Sequence, residues 1–233
     1  MGSDLDLKSI VGDTTLSRPA SLAEEAANRL REMILLEKLP AGTALPERDL
    51  SQVLGISRTP LREAIRILSH EGLIEFSASR RPRVANPTLA EITDYLRIQG
   101  ALEALSGELA CVEASDQQLR NIADLNDQMI EMDGQEDPVT SFKRDMAFHC
   151  AIVMAAHNEP LVETHDSYNA RLWRARFMSS QRKVSRQSTA AEHTQIVEAL
   201  LRRDGRGAAK ALKKHLKTAE INIANALADR DGE

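Results

Sequence analysis

Only two cysteines, Cys111 and Cys150, occur among the 233 residues. That is too few for a disulfide framework, so a cytoplasmic location is expected. Both read as small buried hydrophobes. No apolar run approaches the length that spans a bilayer, and the polar start Met1–Asp6 has no apolar core of the secretory type. The chain has no glycine-rich phosphate loop, no Gly-x-Ser-x-Gly nucleophile turn and no Cys-x-x-Cys pair, which removes common signatures of nucleotide, hydrolase and thiol-redox chemistry. Internal repeats and low-complexity tracts are missing too. The net charge of −5 argues against general binding of polyanions.

What basic charge exists is local. Between Arg48 and Arg83 stand seven arginines against four acids, Asp49, Glu63, Glu71 and Glu75, whereas residues 89–233 are acidic on balance. Any nucleic-acid footprint therefore belongs to the first part of the chain. Apolar residues at 42% and charged residues at 28% are ordinary for a globular protein of one large or two modest domains.

The most informative stretch runs from Leu54 to Ile74. Gly55 permits a tight turn after the helical run Glu47–Leu54. Thr59 suits an N-cap, with Pro60 at the first helical position. Leu61, Ile65 and Leu68 recur at helical spacing, and Gly72 ends the run. Arg62 and Arg66 lie one turn apart on a neighbouring face, with Arg58 just before the cap. An apolar stripe for anchoring beside arginines for phosphates and guanine edges is the construction of a helix-turn-helix recognition helix. Upstream, Ser21 precedes a helix bearing Leu22, Ala26, Leu30 and Met33/Ile34; Pro40–Thr43 reads as a turn, and Pro46 opens a short helix. Downstream, Leu73–Ser77 and Arg83–Ala85 read as strands around a basic tip, Ala78–Pro82. The expectation is a flexible tail over residues 1–20 and a winged helix-turn-helix over 21–86. An all-helical bundle over 89–229 follows, with helices near 89–113, 116–132, 138–156, 159–178, 188–203 and 206–228 and a basic loop at Ser179–Gln187. The fold class is mainly α.

Reading the bundle face by face places polar groups on apolar stripes. Phe142, Asp145/Met146, His149 and Ile152/Val153 share one stripe, His193 lies with Ile196/Val197 and Leu200, and His215 with Leu212, Leu216 and Ala219. Burying four such groups unpaired is costly. Asp145 and His149, four apart, reach one point from adjacent turns. A carboxylate with three imidazoles suits a divalent transition metal, zinc first, with nickel, manganese or iron as alternatives, and leaves coordination positions open. His70 lies on the outer side of the recognition helix, His157 falls in a turn and His165 shows no partner pattern; Arg171, Arg174 and Arg176 could hold an anion but read first as an exposed basic face.

The residues Leu54-Gly-Ile-Ser-Arg-Thr-Pro-Leu-Arg-Glu-Ala-Ile-Arg-Ile-Leu with Glu71-Gly-Leu-Ile resemble the DNA-binding signature of the GntR family of bacterial transcription regulators. Asp145, His149, His193 and His215 resemble the metal-site positions of the FCD-type effector domain of its FadR-like subfamily. The resemblance implies a homodimer, a repressor of a catabolic operon, that reads an inverted-repeat operator in double-stranded DNA through Arg48, Ser57, Arg58, Thr59, Arg62, Arg66 and the wing tip at Arg81. It implies further that a small organic acid completes the metal's coordination. Two positions depart from the family pattern. Arg81 stands where the wing usually has glycine, and Gln99 stands where an arginine usually precedes the glutamate equivalent to Glu103, with Arg97 nearby; Arg97 and Gln99 are the expected effector contacts. A metal-dependent hydrolase and a sensor of the metal itself are the competing readings.

Overall fold

The computed structural model describes residues 21–231, and their side chains except those of 183–188 and 229–231. Residues 1–20, where the tail is expected, lie outside the described residues. The elements run α1 (Leu22–Leu35), α2 (Glu47–Leu54), α3 (Arg58–His70), β1 (Ile74–Phe76), β2 (Pro82–Val84), α4 (Leu89–Glu113), α5 (Asp116–Glu131), α6 (Pro138–Ala155), α7 (Glu159–Ser180), α8 (Lys183–Leu201) and α9 (Gly205–Asp231). The chain is mainly α, with a winged helix-turn-helix followed by a helical bundle, as its hydrophobic periodicity predicts.

Ser21 opens α1 with a reciprocal cap: its hydroxyl accepts from the Glu24 N–H, and the Glu24 carboxylate accepts from the Ser21 N–H. Leu30, Ile34, Leu61, Ile65, Leu68, Ile74 and Val84 then bury one core. Gly55 takes φ 66° at the turn between α2 and α3, a conformation that costs glycine nothing. Helix α3 starts earlier than its sequence suggests. Ser57, in extended conformation, is the N-cap, and Arg58 is the first helical residue. Thr59 and Pro60 therefore occupy the second and third positions. Proline is tolerated there because first-turn N–H groups have no intrahelical acceptor.

The segment expected as a simple turn after Pro40 also adds a third edge to the wing. Ala44 bridges Arg83. The Gly42 N–H donates to the Val84 carbonyl, the Val84 N–H to that of Thr43, and the Leu45 N–H to that of Pro82. β1 and β2 pair antiparallel with Ile74 opposite Val84 and Phe76 opposite Pro82. At the tip, the Arg80 N–H donates to the Ser77 carbonyl at 2.8 Å and the Ser77 N–H to that of Arg81 at 2.9 Å. Arg80 takes φ 58°, so the left-handed position of the hairpin falls there, one residue before Arg81.

In the bundle, α4 and α9 pack closely along their length. A Cβ on Gly107 would lie 2.5 Å from Leu212 Cδ1, so the glycine sets how near the two helices come. Helix α8 begins at Lys183, and only Gln181 and Arg182 separate it from α7. The nine-residue basic loop expected at Ser179–Gln187 is thus a two-residue break. Lys, Arg and Gln are good helix formers; the side chains of Lys183 and Arg186 are outside the described set. The end of α1 rests on the bundle, where Leu35 and Leu36 pack with Phe142, Met146, Trp173 and Phe177, and Arg174 donates to Glu37 at 2.5 Å. Among the described residues no helix is long and apolar enough to cross a membrane.

Candidate functional site

The residues expected to meet DNA are all on the surface. Arg48, Ser57, Arg58, Thr59, Arg62, Arg66 and Arg81 are exposed, while Leu61, Ala64, Ile65 and Leu68 bury the opposite side of α3. Arg62 Nε donates to Glu47 at 2.8 Å and Arg66 reaches Glu63 at 3.4 Å. Such exposed pairs contribute little and yield readily to a phosphate or a guanine edge.

In the bundle, α6, α8 and α9 bring His149, His193 and His215 together. One ring nitrogen from each lies within 4.8 Å of the others, and all three side chains are buried. The far sides of two rings are held by carboxylates. His149 Nδ1 is 2.7 Å from Glu103 Oε2, and His215 Nδ1 is 3.1 Å from Glu192 Oε2; Glu192 in turn accepts from the Thr218 hydroxyl at 2.7 Å. His149 Nε2 and His193 Nε2 are buried with no hydrogen-bond partner among the described residues. Two orphaned imidazole nitrogens with carboxylates behind the cluster fit a divalent cation, because metal-bound histidines are oriented in this way. Asp145 stands on the cavity side, 3.6 Å from His193 Nε2.

Charges around this centre favour ligand-ready forms. Burial pushes the Glu103 carboxyl up, but the charge of His149 and its hydrogen bond, with His165 and Arg176 close by, outweigh it and hold Glu103 well below the usual range. An ionised Glu103 can only accept, so His149 carries its proton on Nδ1 and keeps the Nε2 lone pair free. Burial lowers His149 against the pull of Glu103, and lowers His193 further with help from His215 and His149. Neutral rings are the form that binds a cation.

Beside the histidines opens a cavity of about 380 Å³ whose walls include Asp145, His193, His215, Asn126, Phe142 and Arg176. Arg176 corrects the reading of its helix as an exposed basic face. It is 6% exposed, donates to Asn169 at 3.3 Å, and stands 3.7 Å from Glu103 and 3.8 Å from Asp145. Arg174 is occupied by Glu37, and Arg171 lies 5.7 Å over the Tyr95 ring. The two expected effector contacts are not on the cavity wall. Arg97 is on the surface, paired with Asp94 at 3.2 Å. Gln99 is fully buried, with its amide 3.5 Å from Glu103 Oε1, so it touches the carboxylate behind His149 instead. His165, read as partnerless, is buried on the other side of Glu103. Helical spacing carried the missed signals: Leu96, Gly100, Glu103 and Gly107 form one buried stripe of α4, and Leu161, His165, Leu172 and Arg176 one of α7.

Residues 22–84 match the family described as bacterial regulatory proteins, gntR family, and residues 94–218 match the FCD domain. The Glc operon transcriptional activator of Escherichia coli K12 is 27% identical over 87% of this chain and 89% of its own length. The Uxu operon transcriptional regulator of the same strain is 26% identical over 90% and 88%. Among solved structures, E. coli McbR/YncC shares the fold with a TM-score of 0.74 at 20% identity, over 91% of this chain and all of that one.

Proposed function

The chain belongs to the GntR family of bacterial regulatory proteins and carries an FCD domain, which makes it a transcription regulator and not an enzyme; we propose that it switches its grip on operator DNA when a small organic acid binds at a divalent metal in the bundle. The observation that carries this reading is the shared wall of one cavity: His193, His215 and Asp145 beside a buried arginine, Arg176. His149, His193, His215 and Asp145 would hold the metal, zinc by preference, and the metal would supply a Lewis-acidic coordination position for a carboxylate. Arg176 offers the second positive contact through its planar fork of donors. It takes the role expected of Arg97.

Exposed Ile98, Leu105 and Val112 recur every seven residues along α4, a seam that a second copy would cover. Two winged domains held in this way would read an inverted repeat. Communication runs through Phe142. Its ring lines the cavity and stacks edge-on against Trp173 and Phe177, 5.6 and 5.4 Å away, in the cluster that receives Leu35 from α1. A ligand that displaces Phe142 would shift the population of winged-domain positions.

A thermal-shift screen of organic acids tests this. At least one acid should stabilise the metal-loaded protein and lose that effect after chelation. Acids that stabilise loaded and stripped protein equally would overturn it.

A further inference from the structure

His165 is wholly buried on α7, yet neither ring nitrogen makes a hydrogen bond with any described residue. Nε2 lies 3.5 Å from Glu103 Oε1 and Nδ1 lies 3.5 Å from Asp166 Oδ1. Across from it on α6, Cys150 follows His149 and so turns to a different face of the helix. Cys150, His165 and Asp166 each offer one donor atom, and these atoms lie within 4.8 Å of one another. Around a tetrahedral zinc ion, sulfur, nitrogen and oxygen donors sit roughly 3.3–3.7 Å apart. The His165–Asp166 pair is already at that spacing, and the thiol closes the triangle by a small side-chain movement. Asp166 is 63% exposed and gives an ion a route in from solvent.

We propose that Cys150, His165 and Asp166 form a second divalent-metal site, for an ion of the zinc class, on the opposite side of Glu103 from the three-histidine cluster. The donor set selects the ion. A thiolate disfavours magnesium and calcium, and three protein donors leave a fourth position for water. Metal on His165 Nδ1 places the ring proton on Nε2, where it faces Glu103, so one ion accounts for both orphaned nitrogens. The ion displaces a proton on binding: the S–H bond breaks, the S–metal bond forms, and the proton passes to water with no change in oxidation state. Glu103 joins the sites, with Oε2 on His149 and Oε1 toward His165.

Cobalt(II) added to the chelator-stripped full-length protein tests the proposal, because the three-histidine cluster contains no sulfur. A thiolate-to-cobalt charge-transfer band is expected in the wild type and in Cys111→Ser. It should vanish in Cys150→Ser and need at least tenfold more cobalt in Asp166→Asn, an exposed change that leaves the core intact. His193→Ala should weaken the nitrogen-ligand absorption and spare the sulfur band, so failure of the first site is separable from failure of the second. No sulfur band in the wild type at saturating cobalt, or a band that survives Cys150→Ser, would overturn it.

Discussion

Glu103 Oε2 lies 2.7 Å from His149 Nδ1, with both groups almost fully buried. This contact fixes the tautomer of the ring and leaves Nε2 as the nitrogen available to the cluster. Glu103→Gln keeps the shape but removes the charge. It should lower zinc affinity by about 10–100-fold while the protein remains folded, as measured by competition with a chromophoric chelator. Unchanged affinity would show that the carboxylate does not tune the site.

Arg176 and Arg97 make a discriminating pair. Arg176→Lys retains the charge but loses the planar fork, and should weaken binding of the effector acid by about 1.5–3 kcal/mol with metal content unaltered. Arg97→Ala, at a surface pair with Asp94, should leave acid affinity as it is. Calorimetric titration of both variants decides between the two positions.

At the DNA face, Arg58→Ala or Arg62→Ala should cost roughly 1–3 kcal/mol of operator affinity if the side chain reads a base. Gel shift at fixed salt on a site selected from random sequence provides the measurement, and wild-type binding by either variant contradicts the recognition-helix assignment.

The wing behaves differently. Arg80 holds φ 58°, a conformation glycine takes more cheaply, so Arg80→Gly should leave the melting temperature level or higher. If Arg80 pairs with a phosphate, the same change lowers the slope of log affinity against log salt by about 0.9. A fall in stability would argue that the tip is not strained at this residue.

Phe142 is the expected relay between cavity and α1. Phe142→Leu should still bind the acid, but the ratio of operator affinities with and without acid should move toward one. A ratio equal to that of the wild type would place the coupling elsewhere.

Much of this organisation is legible in the residues themselves. The recognition helix follows from Gly55, the Leu61/Ile65/Leu68 stripe and the flanking arginines. The histidine cluster follows from three polar residues sitting on apolar faces, a test that depends only on helical period. Glu103 and Arg176 satisfy the same test and were open to it. What hides them is that acids and arginines are usually solvated, so their place on a buried stripe is easily passed over. The Ala44–Arg83 bridge and the closeness of His165 to Cys150 are different in kind. Both join segments far apart in the chain, and no local pattern encodes which nonlocal neighbours will meet. The α7–α8 break is hidden because a run of charged and polar helix formers resembles a loop in composition alone.

The proposed coupling between the cavity and the winged domain is thermodynamic and therefore reciprocal. The most direct measurement is the affinity of the metal-loaded protein for its effector acid, determined free and at saturating operator DNA. The two affinities should differ by the same factor, about 5–150-fold, by which the acid changes operator affinity. Equal effector affinities in the two states would contradict it.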